Sequence, residues 1–202
     1  MTELVIRIVR HVETLENAAG IHQGVGVGGC LSPRGEAQAV KLGKYLRTMT
    51  FDSIYLSPVA RVQATWAILT SYLGHPSAHL ASQLSAKDSG SLAGRPREAI
   101  LEEAMLAGIS VFDYRPQCGE SSRDVQRRVI QFFNDVMCTT DNHVLVITHG
   151  GVIALFSMHL LGASEHEYPK YVAEPGAITT VVGHRRSGTF QIVSQGEVSH
   201  LL

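Results

Sequence analysis

The chain has 202 residues, 45% hydrophobic and 17% charged, with a formal net charge of −1, a composition that suits one sizeable core and shows no break calling for a second domain. It carries no Lys/Arg block or basic stripe interleaved with aromatics, which excludes the electrostatic footprint of a nucleic-acid binder. No apolar run approaches the ~18 residues needed to span a bilayer, so a membrane partner is not expected.

Leu4 to Val9 is rich in β-branched residues and reads as a buried strand, reached from Met1 without the charged and apolar regions of a signal peptide. Glu13 to Cys30 is polar and glycine-rich and reads as a long loop at the sheet edge. Its run Gly24-Val25-Gly26-Val27-Gly28-Gly29 contains a formal G-x-G-x-x-G. That run neither directly follows a strand nor opens a helix, so it lacks the context of dinucleotide binding and suits a loop that folds over a pocket. Ser32-Pro33 supplies an N-cap and a first-turn proline, and Ala39, Leu42 and Leu46 repeat at helical spacing up to about Arg47. Ser53 to Leu56 is a short strand, and Ser57-Pro58 opens a helix to about Leu73, with Ser57 as cap and Pro58 as its first residue.

Ala78 to Leu80 reads as a short third strand. Residues 85–117 show little periodicity apart from a helix near Glu98 to Ala107 and are expected to form a cap-like insertion over the sheet. Ser122 to Cys138 places Val125, Val129, Phe132, Phe133 and Val136 on one helical face, with Ser121 or Ser122 as N-cap. Val144 to Thr148 is a second buried strand and Val152 to Leu161 a helix. Ile178 to Val182 and Phe190 to Val193 pair antiparallel around Arg186-Ser187-Gly188. The alternation predicts a single three-layer α/β/α domain over 1–202, with a mostly parallel central sheet, an antiparallel edge strand and helices on both faces. The three cysteines, Cys30, Cys118 and Cys138, are odd in number and lack CxxC spacing, which argues against a disulfide framework or zinc site and favours a reducing, cytoplasmic compartment.

In open α/β sheets ligands bind beyond the carboxyl ends of the strands. Arg10-His11 ends the first buried strand and His149-Gly150-Gly151 the second, so this fold can bring two imidazoles and a guanidinium together. A neutral imidazole is a good nucleophile near pH 7, and a hydrogen bond to one nitrogen fixes the tautomer that leaves the other to attack phosphorus. Arginine's planar fork matches phosphoryl oxygens bidentately, and Arg61, one turn into its helix, adds a second fork beside free N–H groups. Gly150 and Gly151 let the backbone approach a ligand closely. His11 is the candidate nucleophile, with Arg10, Arg61 and His149 around a tetrahedral dianion. Two arginines neutralise its charge, so neither a metal nor another cofactor is expected. Either histidine alone would read as an ordinary surface or core residue, and it is their shared position at strand ends that changes the weighting.

Arg10-His11-Val12-Glu13-Thr14 with Asn17 resembles the R-H-G-E-T-x-x-N signature of the histidine phosphatase superfamily, in its phosphoglycerate mutase-like branch. Leu31-Ser32-Pro33-Arg34-Gly35-Glu36-Ala37-Gln38-Ala39 is similar to that family's L-T-x-x-G-x-x-Q-A, and Ser57-Pro58 through Arg61 to Thr65 to its S-P-L-x-R-A-x-Q-T. Gly119-Glu120-Ser121 resembles its G-E-S and Thr148-His149-Gly150 its T-H-G. The resemblance covers nearly the whole chain. It implies that His11 is phosphorylated, that Arg10, Arg61, His149 and Gly150 hold the phosphoryl group, and that Asn17 contacts one of its oxygens. Val12, Ala64 and Trp66 replace a glycine, a glutamine and a small residue of the pattern, changes expected to alter pocket shape.

Leu84 to Gly94 is similar to the family's L-x-E-x-D-x-G-x-W-E-G, and the glutamate that usually protonates the leaving oxygen falls on Ala86. An alkoxide leaves poorly without a proton, and a positioned general acid is worth roughly 10²- to 10⁴-fold. Asp88 is the first substitute considered, with a loop cap as its other reading, and Glu120 the second. An aryl or histidine phosphate would need no acid. Gln23, Lys87 and Glu120 are assigned to a substrate rim. Lys87, Arg95, Arg97, Tyr114 and Arg115 offer groups for a second phosphate or carboxylate, against the plainer reading of solvated loop side chains.

Three functions follow. The first is a metal-independent phosphatase that hydrolyses small phosphomonoesters through a phosphohistidine on His11. The second is mutase-type phosphoryl transfer, although similar mutases usually carry extra segments over the site. The third is a phosphate-binding or regulatory protein that has lost its acid at Ala86. The expected partner is a small phosphorylated molecule, and a homodimer is left open.

Overall fold

The computed structural model describes residues 3–21, 23–96 and 98–202. Its strands β1 (Leu4–Arg10), β2 (Ser53–Leu56), β3 (His79–Leu80), β4 (His143–Thr148), β5 (Ile178–His184) and β6 (Thr189–Glu197) form one sheet in the order β3-β2-β4-β1-β5-β6. β3, β2, β4 and β1 run parallel, whereas β5 is antiparallel to β1 and β6 to β5. This is the expected mostly parallel sheet with an antiparallel edge.

Period-two alternation divides the core between the two faces of the sheet. Leu4, Ile6 and Ile8 of β1 and Val144 and Val146 of β4 lie in one hydrophobic cluster, with Val9, Leu145 and Ile147 in another on the opposite face. Helices α2 (Pro33–Leu46) and α3 (Ala60–Tyr72) cover the second cluster through Ala39, Leu42, Leu46, Val62 and Leu69. Helices α5 (Ser122–Met137) and α6 (Gly150–Leu161) cover the first through Val125, Val129, Phe133, Ile153 and Phe156. The rings of Phe133 and Phe156 stack at 3.9 Å between centroids, joining α5 to α6. Burying either ring contributes on the order of 2 kcal/mol in transfer free energy.

Side-chain caps fix where α2 and α5 begin. Ser32 Oγ accepts from Gly35 N at 2.9 Å, and Ser121 and Asp124 close a reciprocal capping box on α5. Three local expectations change. The stretch 13–30 is not uniform loop, since Thr14 caps a short helix α1 (Leu15–Ala18), and it lies beyond the carboxyl end of β1, an interior strand, rather than at the sheet edge. Ser57 does not cap α3: Val59 is the cap residue, so Arg61 stands in the first turn instead of one turn in. Helix α6 starts at Gly150, two residues before Val152, which puts both glycines in its first turn. Between β3 and α5 the chain runs through short 3-10 turns and helix α4 (Glu98–Leu106), and after α6 comes a one-turn helix α7 (Tyr168–Tyr171). No helix of the described residues is long and apolar enough to cross a membrane.

Candidate active site

Register brings the two histidines together. Arg10 of β1 pairs with Thr148 of β4, so His11 and His149, each one residue further on, leave adjacent parallel strands at the same end. Their ring centroids are 5.3 Å apart at 63°, and both side chains are buried.

Hydrogen bonds assign the His11 tautomer, because a carbonyl only accepts and a guanidinium only donates. His11 Nδ1 lies 2.8 Å from Val12 O and therefore carries the proton, while Arg61 Nε donates to the Nε2 lone pair at 3.2 Å. Ser57 Oγ, which accepts from Val59 N at 3.3 Å, stands 2.8 Å from His149 Nε2. A hydroxyl has one proton and two acceptor lone pairs, so either atom of this pair can donate, and the remaining ring nitrogen is His149 Nδ1. That Nδ1 is buried and has no hydrogen-bond partner among the described residues.

The two arginines are seated by backbone carbonyls. Arg10 Nη1 donates to Ala173 O at 2.6 Å, and Arg61 Nη2 to Gly24 O at 2.7 Å, so the glycine loop does fold over Arg61. A Cβ on Gly150 would stand 3.0 Å from Ala173 O and 3.1 Å from Arg10 Cδ, so this glycine makes room for the Arg10 side chain.

Burial first, then the Arg61 and Arg10 charges, push the His11 pKa down to about 3 against the weaker opposing pull of the Val12 carbonyl. His149 is held well below its ordinary value by burial and then by Arg61, His11 and Arg10. Arg61 is lowered to about 10 by burial and by Arg10, and so remains charged at neutral pH. The result is two neutral imidazoles between two guanidinium cations, an arrangement that favours a dianion with tetrahedral oxygens.

These groups line a cavity of about 320 Å³ that also takes in Asn17, Gln23, Ala86, Lys87 and Gly150. Asn17 Nδ2 donates to Gln23 Oε1 at 3.2 Å, joining the two amides in one wall. Asp88 and Glu120 are not part of that wall. Asp88 Oδ1 accepts from Gly90 N at 2.9 Å, the loop-cap role, and Glu120 is engaged by Arg128 at 2.9 Å and by Asp88 N at 3.0 Å. Arg95 and Tyr114 both bind Glu103, and Arg115 binds Asp124, so these groups are turned to one another rather than to the cavity. Arg97 lies outside the described residues. Val12 and Trp66 pack with the α2/α3 cluster, and neither they nor Ala64 line the cavity, so none of the three departures falls in its wall.

The sequence puts Ser57 at a helix start and within the S-P-L-x-R match but gives it no part in the site, and it gives none to the wall residues Ser122, Tyr168 and Val172, which carry no local motif. Among the described residues no three His, Cys, Asp or Glu side chains gather as ligands for a metal ion.

Comparison with known proteins agrees with this geometry. A family model described as the histidine phosphatase superfamily, branch 1, matches residues 6–196. Fructose-2,6-bisphosphatase TIGAR B of Danio rerio is 33% identical over 139 residues, 67% of this chain and 54% of that protein. The chain thus spans about half the length of the TIGAR proteins it matches. GpmB of Erwinia tasmaniensis, described as a probable phosphoglycerate mutase, is 26% identical over 209 residues, covering 98% of this chain and 95% of that one. The solved structure of a mycobacterial glucosyl-3-phosphoglycerate phosphatase superposes with a TM-score of 0.81 at 22% identity, over 97% of this chain and 100% of that one. With two strand-end histidines, two arginines and a family match over nearly its whole length, the chain belongs to the histidine phosphatase superfamily, among phosphoglycerate mutase-like relatives.

Proposed function

We propose that the protein hydrolyses small phosphomonoesters through a phosphohistidine on His11. The observation that carries this reading is the His11 ring itself, which is neutral, fixed by Val12 O with its lone pair on Nε2, and flanked by two guanidinium groups. In the first step Nε2 bonds to phosphorus as the ester P–O bond breaks. Arg61 Nε gives up Nε2 and, with Arg10, His149 and Asn17, donates to the phosphoryl oxygens. In the second step water attacks the phosphohistidine, phosphate leaves and the Nε2 lone pair is restored. Relatives whose names describe phosphatases support hydrolysis, and GpmB supports the mutase-type alternative.

The two guanidinium groups supply the positive charge, so turnover needs no added metal. The three cysteines are free and exposed, which supports a reducing, cytoplasmic setting. A phosphate-binding protein without turnover is the second reading, favoured by Ala86 in the cavity wall and by the engagement of Asp88 and Glu120 elsewhere. Hydrolysis of p-nitrophenyl phosphate in EDTA by the wild type and by His11→Ala separates the two. The proposal expects turnover that falls by on the order of 10³-fold or more in the variant. Phosphate binding with no turnover in either protein would favour the binder.

A further inference from the structure

A second cavity, of about 440 Å³, adjoins the first and shares Lys87, Ser122, Tyr168 and Val172 with it. Away from this seam its wall is largely apolar, with Leu92, Pro96, Ile100, Leu101, Val111 and Phe112 contributed by the segment between β3 and α5. The inference drawn from it rests on the phosphatase reading above. When phosphorus is held beside His11, a substrate reaches the apolar chamber through its ester oxygen and the carbon bonded to it. A substrate that occupies both chambers therefore carries that oxygen at the seam. Lys87 is the one ammonium among the four shared residues, it follows Ala86 directly, and it enters no ion pair among the described residues, whereas Arg95, Arg115 and Arg128 each hold a carboxylate.

We propose that the apolar chamber takes the alcohol half of the substrate, a phosphomonoester of an apolar alcohol, and that Lys87 is the acid that protonates its oxygen. As the His11 Nε2–phosphorus bond forms, the P–O bond breaks and its electron pair takes a proton from Lys87 Nζ, giving a neutral alcohol and a neutral amine. The amine then accepts a proton from the water that attacks the phosphohistidine, which releases phosphate and returns Lys87 to the ammonium. Burial lowers the Lys87 pKa to about 8 against the opposing pull of Glu120 and Asp124, so the group is charged at neutral pH yet a stronger acid than a solvated lysine. Glu165, His166 and Tyr168 are the other titratable groups along the apolar chamber, and Arg10, His11, Arg61 and His149 those of the phosphate cavity.

The test compares ethyl, butyl and hexyl phosphate with p-nitrophenyl phosphate. In the wild type kcat/KM should rise about threefold to fourfold per added methylene, and Ile100→Trp, which fills the chamber, should flatten that rise. Lys87→Ala should lower kcat on the alkyl esters by about 10²-fold or more, with a much smaller loss on the aryl ester, and should remove the fall in alkyl turnover above about pH 8. Lys87→Arg should keep the charge but not the alkyl rate, since guanidinium does not release its proton in this range, and Ala86→Glu added to Lys87→Ala should restore alkyl turnover. Chain-length independence with aryl turnover intact would overturn the chamber. Equal alkyl and aryl losses in Lys87→Ala, full alkyl activity in Lys87→Arg, or transfer of the whole effect to Tyr168→Phe would overturn the proton donor. Absence of aryl turnover in the wild type would instead count against the phosphatase reading beneath it.

Discussion

Arg61 Nε stands 3.2 Å from His11 Nε2, so the group positioned to bind phosphoryl oxygens also covers the nitrogen positioned to attack phosphorus. Substrate must displace this bond, and the displaced donor is then free for the incoming oxygens. Arg61→Ala should therefore lower kcat/KM for p-nitrophenyl phosphate by about 10²- to 10³-fold. Arg61→Lys should recover only part of the loss, because an ammonium lacks the planar fork. Steady-state kinetics of the two variants check this, and full recovery by lysine would reduce Arg61 to a point charge.

Ser57 acts on the site through His149. Removing its hydroxyl frees the His149 tautomer, and the expected cost is about tenfold in kcat, the effect of one ordinary hydrogen bond, with KM nearly unchanged. Long-range ¹H–¹⁵N spectra should show one dominant His149 tautomer in the wild type and a mixed population in Ser57→Ala. A single unchanged tautomer in the variant would remove this role.

The buried imidazoles make stability depend on pH. A histidine whose folded pKa lies below its ordinary 6.5 binds its proton more readily in the unfolded chain, so unfolding takes up protons and stability falls as pH drops. For His11 the window runs from 6.5 down to about 3, and His149 adds to it in the same direction. The melting temperature should fall between pH 7 and pH 5, less steeply in His11→Asn, as followed by scanning fluorimetry. Identical slopes in the two proteins would contradict the assignment for His11.

Gly150 makes room for the Arg10 side chain. In Gly150→Ala the new Cβ would stand 3.0 Å from Ala173 O, backbone that cannot move freely, and 3.1 Å from Arg10 Cδ. Arg10 must give way, so inhibition by inorganic phosphate should weaken by about tenfold, the size of one charge-assisted hydrogen bond. Unchanged inhibition would show that Arg10 is seated independently of this glycine.

The strand-end histidines and the two-faced core were legible because both follow from short-range pattern: β-branched runs for β1 and β4, and helical spacing for Val125 to Val136. The loop-cap reading of Asp88 was legible too, but the fates of Ser57 and Glu120 were not. Each is a polar side chain whose partner is set by a contact distant in sequence or by the detailed course of a loop, and periodicity says nothing of that. Ser57 reaches His149 across 92 positions, and Glu120 reaches the Asp88 amide across 32. The apolar chamber was illegible for the same reason, since its wall joins α4, the loop before α5 and the α7 region without a shared motif.

The proposed hydrolysis depends on His11 carrying the phosphoryl group during turnover. Rapid mixing with p-nitrophenyl phosphate, quenching under alkaline denaturing conditions and intact-mass and peptide analysis test it most directly. A phosphoryl adduct on His11 that is lost in acid and absent from His11→Ala is the expected result. Turnover with no adduct on His11, or an unchanged adduct in His11→Ala, would contradict it.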